Sequence, residues 1–193
     1  YQILKLGDEA IIDLMSMDLK GRQWRSCRSA LNRAKRNNLT FQWVKSNNRN
    51  TIINEISKIS DEWLLNRSLP ELGFVMGIFQ DTHNSDLLAI TRDSDGNICG
   101  FATWNPIPDS QGWMLDLMRS KENVMNGLND FLLIKSLIFF QKSGCSIASL
   151  GGVPLSNWNS ENQGITRKFM DILFDYCNMV YPFKRLWNFK KKF

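Results

Sequence analysis

Histidine is almost missing from this chain: His83 is the single one, and it lies in the polar stretch QDTHNSD (80–86), where it reads as a solvated loop residue. Catalysis by a histidine triad or by a multi-histidine metal centre is therefore disfavoured. The four cysteines (Cys27, Cys99, Cys145, Cys177) are scattered, with no C-x-x-C pair. They indicate neither a disulfide framework nor a zinc site, and a reducing, cytosolic setting is expected. Long apolar runs are missing too. The richest, FLLIKSLIFF (131–140), is interrupted by Lys135 and Ser136 and falls short of the roughly 20 residues that span a bilayer, so this piece is expected to be soluble. There is no P-loop, no G-x-S-x-G elbow, no spaced set of metal carboxylates and no secretory signal pattern. No metal is expected.

What the chain does have is charge in two places. Residues 20–36 carry seven basic side chains (Lys20, Arg22, Arg25, Arg28, Arg33, Lys35, Arg36) and residues 184–193 carry five (Lys184, Arg185, Lys190, Lys191, Lys192), with no acid in either segment. The whole chain is +5, so the remainder stands at −7. Two dense basic segments on an otherwise acidic chain point to a polyanion, either nucleic acid or an anionic membrane surface; solvated helix faces and a frayed tail are the plain alternative. With 193 residues and 43% hydrophobic residues, the chain can bury one good core.

Periodicity predicts an amphipathic helix over 21–37 with Trp24, Cys27, Leu31 and Ala34 inward, a strand over 39–44, and a helix over 51–67 with Ile52, Ile56, Ile59 and Trp63 inward. A hairpin follows, 87–92 and 98–104 joined by DSDGN. Then come a strand at 113–118, a mostly buried helix closed by Gly144, a strand at 146–150, and a helix over 162–179. The fold class is α/β or α+β, with a mostly antiparallel early sheet and a late strand–helix–strand crossover. QKSGCS (141–146) superficially matches the pyrophosphate loop of acyl-CoA acetyltransferases, but Gly144 follows a helix instead of preceding one and reads as its C-cap.

The remaining polar candidates are Glu71 in LPELGFVMGIF, Asp116 and Arg119 in LDLMRS, the LGGVPLS turn (150–156) and the ending RLWNFKKKF. By spacing alone Glu71 is equally a loop acid, Asp116 and Arg119 a salt bridge, and Gly151-Gly152 a simple turn. Trp187 and Phe189 interleave with the terminal lysines, where packing on the core is favoured over stacking on a base. Strand alternation sends residues three apart to opposite faces. For Asp116 and Arg119 to share a pocket, the strand must end or bulge near Met118, leaving Asp116 near the end of a core strand and Arg119 on the turn beyond.

Taken in order, KLGDEAIIDL, GRQWRSCRSALNRAKRNNLTF, SDEWL, ELGFVMGIF, DSDGNICGFATWNPIP, LDLMRS, NGLNDFL, LGGVPLS and FKKKF resemble the C-terminal synthase domain of the lysylphosphatidylglycerol synthases, also called multiple peptide resistance factors. The likeness runs over nearly the whole chain. GGVPLS departs from the family's commoner G-x-A-P-L. The resemblance implies an acetyltransferase-like (GNAT) fold, a mixed central sheet flanked by helices, as the second half of a tandem pair: a connecting segment over 1–20 and the aminoacyltransferase domain over 21–193.

It further implies transfer of an amino acid, lysine first, from aminoacyl-tRNA to the glycerol hydroxyl of phosphatidylglycerol, a step linked to resistance against cationic antimicrobial peptides. Aminoacyl-tRNA is then a co-substrate and no cofactor is needed. The setting is the cytoplasmic face of a bacterial membrane, within a larger membrane protein. Asp116 and Arg119 would be catalytic, Asp116 in amino-acid recognition or proton transfer and Arg119 in phosphate or oxyanion stabilisation. Glu71, Lys190 and Lys192 would bind substrate, and Arg22, Arg25, Arg28, Lys184 and Arg185 would hold tRNA or lipid phosphates. The competing readings are a small-molecule N-acetyltransferase using acetyl-CoA and a non-catalytic basic module docking on RNA or membrane.

Overall fold

The computed structural model describes residues 7–45, 48–66, 87–154 and 183–193. Its elements are β1 (Gly7–Asp13), α1 (Arg25–Arg36), β2 (Thr40–Val44), α2 (Arg49–Leu65), β3 (Leu87–Arg92), β4 (Ile98–Pro106), β5 (Gly112–Ser120), α3 (Leu128–Lys142), β6 (Ile147–Pro154) and α4 (Phe183–Lys190). The strands form one six-stranded mixed sheet in the order β1-β6-β5-β4-β3-β2. Every neighbouring pair is antiparallel except β5 and β6, which run parallel across the α3 crossover. The expected helix over 162–179 lies outside the described residues.

The helices sort to two faces because their apolar stripes differ. On one face α1 buries Cys27, Ala30 and Ala34, with Trp24 at its N-cap buried beside them. Beside it α3 buries Leu132, Leu133, Ile134, Leu137 and Phe140 almost all round, as a helix sandwiched between a sheet and a second helix must. Phe140 sets the layer spacing: its ring stacks on Trp113 at 5.5 Å and meets Trp104 edge-on at 4.9 Å. On the other face α2 lays Ile52, Ile56 and Ile59 against Ile90, Phe101 and Leu117. Each fully buried aliphatic side chain of this kind stabilises by about 1.5–3 kcal/mol. Helices on both faces of one sheet give the acetyltransferase-like architecture the sequence led us to expect.

Two glycines fix the crossover. Gly144, with φ +81°, ends α3 in a left-handed turn, and Cys145 N–H returns to the Phe140 carbonyl at 3.0 Å while Gly144 N–H reaches that of Gln141 at 3.1 Å. Gly112 opens β5 against Ile147. A Cβ there would lie 2.5 Å from Ile147 Cγ1 and 2.9 Å from its carbonyl oxygen. Gly112→Ala is therefore expected to cost about 1–3 kcal/mol by overpacking, which thermal unfolding would read as a Tm drop of several degrees; an unchanged Tm would show that β5 and β6 have slack at this point.

Two elements went unrecognised in the sequence, β1 and α4. The expected connecting segment 1–20 supplies the edge strand β1, which pairs with β6 from Gly7↔Pro154 to Asp13↔Ile147, and it adds Leu14 and Met17 to the core. The basic ending forms α4, and Phe189 and Phe193 pack against the α1–α3 core as expected for Phe189.

Candidate active site

The register between β4 and β5 locates the site. Thr103 lies opposite Leu117 and Trp104 opposite Leu115, so Asp116 is the extra residue of a β-bulge. A bulge resets the alternation of side chains along its strand. Trp113, Leu115 and Met118 accordingly pack with the α1–α3 core, whereas Leu117 joins the cluster under α2, and Arg119 reaches Ser60 of that helix. Thr103 lies between Ala102 and Trp104, both in the α1–α3 core, and so points to the α2 side, where its hydroxyl donates to Asp116 Oδ2 at 3.1 Å. Asp116 and Arg119 thus come onto one face.

Both expectations about the strand itself are corrected. The irregularity falls at Asp116, not near Met118, and β5 runs on to Ser120. Arg119 is inside the strand and fully buried, not on a turn. What makes that burial tolerable is α2: Ser60 Oγ accepts a hydrogen bond from the guanidinium, which also lies over the Trp63 ring at 4.9 Å.

Beyond the bulge the sheet opens. Parallel pairing of β5 with β6 stops at Met114↔Ser149, while both strands continue. Lys190 from the end of α4 reaches this opening, and its Nζ donates to the Gly151 and Gly152 carbonyls at 2.9 and 2.8 Å. The position a Cβ on Gly151 would take is 3.7 Å from the Leu115 carbonyl and 3.8 Å from Lys190 Nζ, so β5, β6 and the lysine meet there. Burial pushes the Lys190 ammonium down to about 8, with the Glu9 carboxylate pulling the other way. Ser149 closes the cluster, accepting from Gly151 N–H at 3.0 Å and donating to Glu9 Oε1 at 2.5 Å. Thr103, Ser60, Trp63, Glu9 and Ser149 were not singled out as site residues in the sequence. Strand pairing and the packing of α2 on the sheet bring them to this place.

The other expected site residues sort differently. Lys192 forms an ion pair with both oxygens of Asp130 at 3.1 Å, in the first turn of α3, and lies 4.9 Å from the Phe189 ring centroid. This pair lines a cavity of about 570 Å³ bordered also by Arg33, Trp63 and the 120–130 segment. Arg22 and Arg25 line an open groove of about 420 Å³ with Gln23, Ser26, Ser29 and Arg33. Arg28 is not in that groove. It donates instead to the Leu19 carbonyl at 2.7 Å, so the groove's cations are Arg25 and Arg33 of α1 and Arg22 from the turn just before it. Lys184 and Arg185 fall in the first turn of α4 with side chains outside the description, and Glu71 lies outside the described residues.

A family model described as "Phosphatidylglycerol lysyltransferase, C-terminal" matches residues 1–193. The chain belongs to this family. Phosphatidylglycerol lysyltransferase of Bacillus subtilis is 30% identical over 195 residues, covering all of this chain and 22% of the relative. A solved structure described as L-PGS from Bacillus licheniformis superposes with a TM-score of 0.82 at 28% identity, over 98% of this chain and 57% of that one. A GCN5-related glucosamine N-acetyltransferase region of a fungal multi-domain enzyme matches 78% of this chain and 18% of its own, with a TM-score of 0.50 at 14% identity, which is a likeness of fold alone. The chain thus spans about a fifth of the curated relative. Among the described residues no helix is long and apolar enough to cross a membrane, and no group of three or more metal-binding side chains gathers.

Proposed function

We propose that this chain is the catalytic, second acetyltransferase-like half of a larger membrane-associated protein that moves an aminoacyl group, lysyl first, from aminoacyl-tRNA to the glycerol hydroxyl of phosphatidylglycerol. One observation carries the reading: the bulge that gathers Asp116 and Arg119 beside the β5–β6 opening reached by Lys190, in a member of this family. Membership weighs against the acetyl-CoA alternative.

The donor ester is already activated, so the chemistry asks for no nucleotide or metal. The glycerol oxygen attacks the ester carbonyl, the tetrahedral oxyanion collapses, and the tRNA ribose oxygen leaves carrying a proton equivalent to the one the glycerol lost. Asp116, held by the Thr103 hydroxyl, supplies the negative charge for the ammonium of the amino acid or for the proton in transit. Arg119, buried, acts through its field on the developing oxyanion and is not a surface clamp for phosphate. Lys190 keeps a third ammonium proton beyond its two carbonyl partners for substrate oxygen. The Arg22–Arg25–Arg33 groove suits the phosphates of tRNA, with the anionic lipid surface supplying the acceptor on the cytoplasmic side, where aminoacyl-tRNA is found.

The test uses the full-length parent protein with labelled lysyl-tRNA and phosphatidylglycerol vesicles. Label is expected in the lipid extract without acetyl-CoA; label that stays on tRNA, or an acetyl-CoA-dependent product, overturns the reading. The pH dependence adds a sharper check. Because Lys190 titrates at about 8 in the folded protein, transfer corrected for spontaneous ester hydrolysis is expected to fall as pH rises through 8. Lys190→Arg, which stays charged, is expected to lose that limb, and a limb unchanged in this variant would contradict the role. Stability has the opposite sign. The unfolded lysine, near its ordinary 10.5, holds its proton longer than the folded one, so between about 8 and 10.5 stability gains as pH rises.

A further inference from the structure

Thr103 sits in the FATW stretch of β4 with no exposed surface. Its hydroxyl is the one side-chain group among the described hydrogen bonds that touches both bulge residues: it accepts the Leu117 N–H at 3.0 Å and donates to Asp116 Oδ2 at 3.1 Å. The direction of both bonds is forced. An amide N–H can only donate, so it takes a lone pair of the hydroxyl, and an ionised carboxylate can only accept, so it takes the hydroxyl's single proton. At a bulge the inserted residue interrupts the backbone ladder, and here a threonine side chain supplies the acceptor for the Leu117 amide.

We infer that Thr103 is a positioning residue of the transfer reaction, fixing the bulge and the carboxylate of Asp116 through one hydroxyl. This rests on the proposed lysyl transfer. Without this hydroxyl the carboxylate would be held less firmly, and small misplacements at a reacting centre are costly. Thr103 touches no substrate in this account; it acts through Asp116.

Three variants of the full-length protein test it: Thr103→Val, which keeps the shape and removes the hydroxyl; Thr103→Ala, should the valine variant fail to fold; and Thr103→Ser, which keeps the hydroxyl. Thr103→Val is expected to lower kcat for lysyl transfer at least tenfold while KM for lysyl-tRNA stays within threefold, and Thr103→Ser is expected to recover kcat to within threefold of the unaltered protein. Folding is followed by Tm on the same samples. A kcat for the hydroxyl-free variant equal to that of the unaltered protein overturns the inference. So does a serine variant as impaired as the alanine one, because a purely structural role would track lost methyl packing instead of the hydroxyl. If the unaltered protein itself transfers no lysine, the functional reading fails first and the inference falls with it. If it transfers lysine and Thr103→Val does so equally well, only the inference fails.

Discussion

Asp116→Asn is expected to lower the rate of lysyl transfer by a factor of about 10²–10⁴, the range for removing a positioned acid or base, with little change in the affinity for tRNA. Asparagine has the size of aspartate and can still accept the Thr103 hydroxyl proton through its carbonyl oxygen, so the bulge has no reason to collapse. What disappears is the negative charge. An ammonium loses its counter-ion and a migrating proton loses its acceptor, and both effects weigh on the chemical step. In the proposed reading the phosphate-rich tRNA is held elsewhere, in the groove of Arg22, Arg25 and Arg33, which Asp116 does not line. Single-turnover transfer from prebound lysyl-tRNA separates the two: the rate falls while the binding curve stays. A variant that binds tRNA more weakly and turns over normally would move Asp116 out of the chemistry.

Arg119→Lys is expected to be almost as damaging to transfer and, unlike the asparagine change, to weaken the fold. Arginine at this position is fully buried, donates to Ser60 and stacks on Trp63. Lysine keeps the charge but has neither the planar fork nor the flat face. A hydrogen bond to a charged group is worth roughly 1.5–3 kcal/mol, and a desolvated cation–π contact about 2 kcal/mol. Losing most of one of these amounts to roughly 2–3 kcal/mol, a Tm decrease of about 5–10 °C for a domain of this size. The rate is expected to fall at least a hundredfold, because the charge is no longer held at a fixed point behind the pocket. Thermal unfolding and lipid-extract counting on one preparation read both. A stable, fully active lysine variant would reduce Arg119 to a replaceable cation.

These two residues also show how far the sequence carries. The β3–β4 hairpin was legible because Asp95-Gly96 is a local turn signal, and the α3 crossover because Gly144 ends a helix by its own backbone geometry. Periodicity led to α1, whose Arg25 and Arg33 line the groove together with Arg22 from the turn before it. The bulge was not legible in detail, because register belongs to two strands at once. Nothing in LDLMRS says that Thr103 stands opposite Leu117, and from β5 alone the irregularity could only be placed near Met118. β1 escaped notice for a related reason. As an edge strand, GDEAIID alternates weakly and carries three acids, so it acquires meaning only beside β6. By spacing alone Lys190 is one more cation of a basic tail, and only the resemblance set it apart; its contact with the Gly151 and Gly152 carbonyls appears once α4 is folded. Arg28 shows the reverse: helical spacing groups it with its basic neighbours, while the Leu19 carbonyl takes it away from them.

Whether Asp116 and Arg119 act as one unit created by the bulge is tested most directly by a double-mutant cycle. Transfer rates are measured for the unaltered full-length protein, Asp116→Asn, Arg119→Lys and the double variant, at a temperature where all four are folded. Residues that serve one step together lose little more when both are changed than when the worse one is. The expected result is a double variant within about threefold of the slower single variant. Losses that multiply, so that the double variant falls by the product of the two single effects, would mean that the residues act independently and that their shared face has no catalytic meaning.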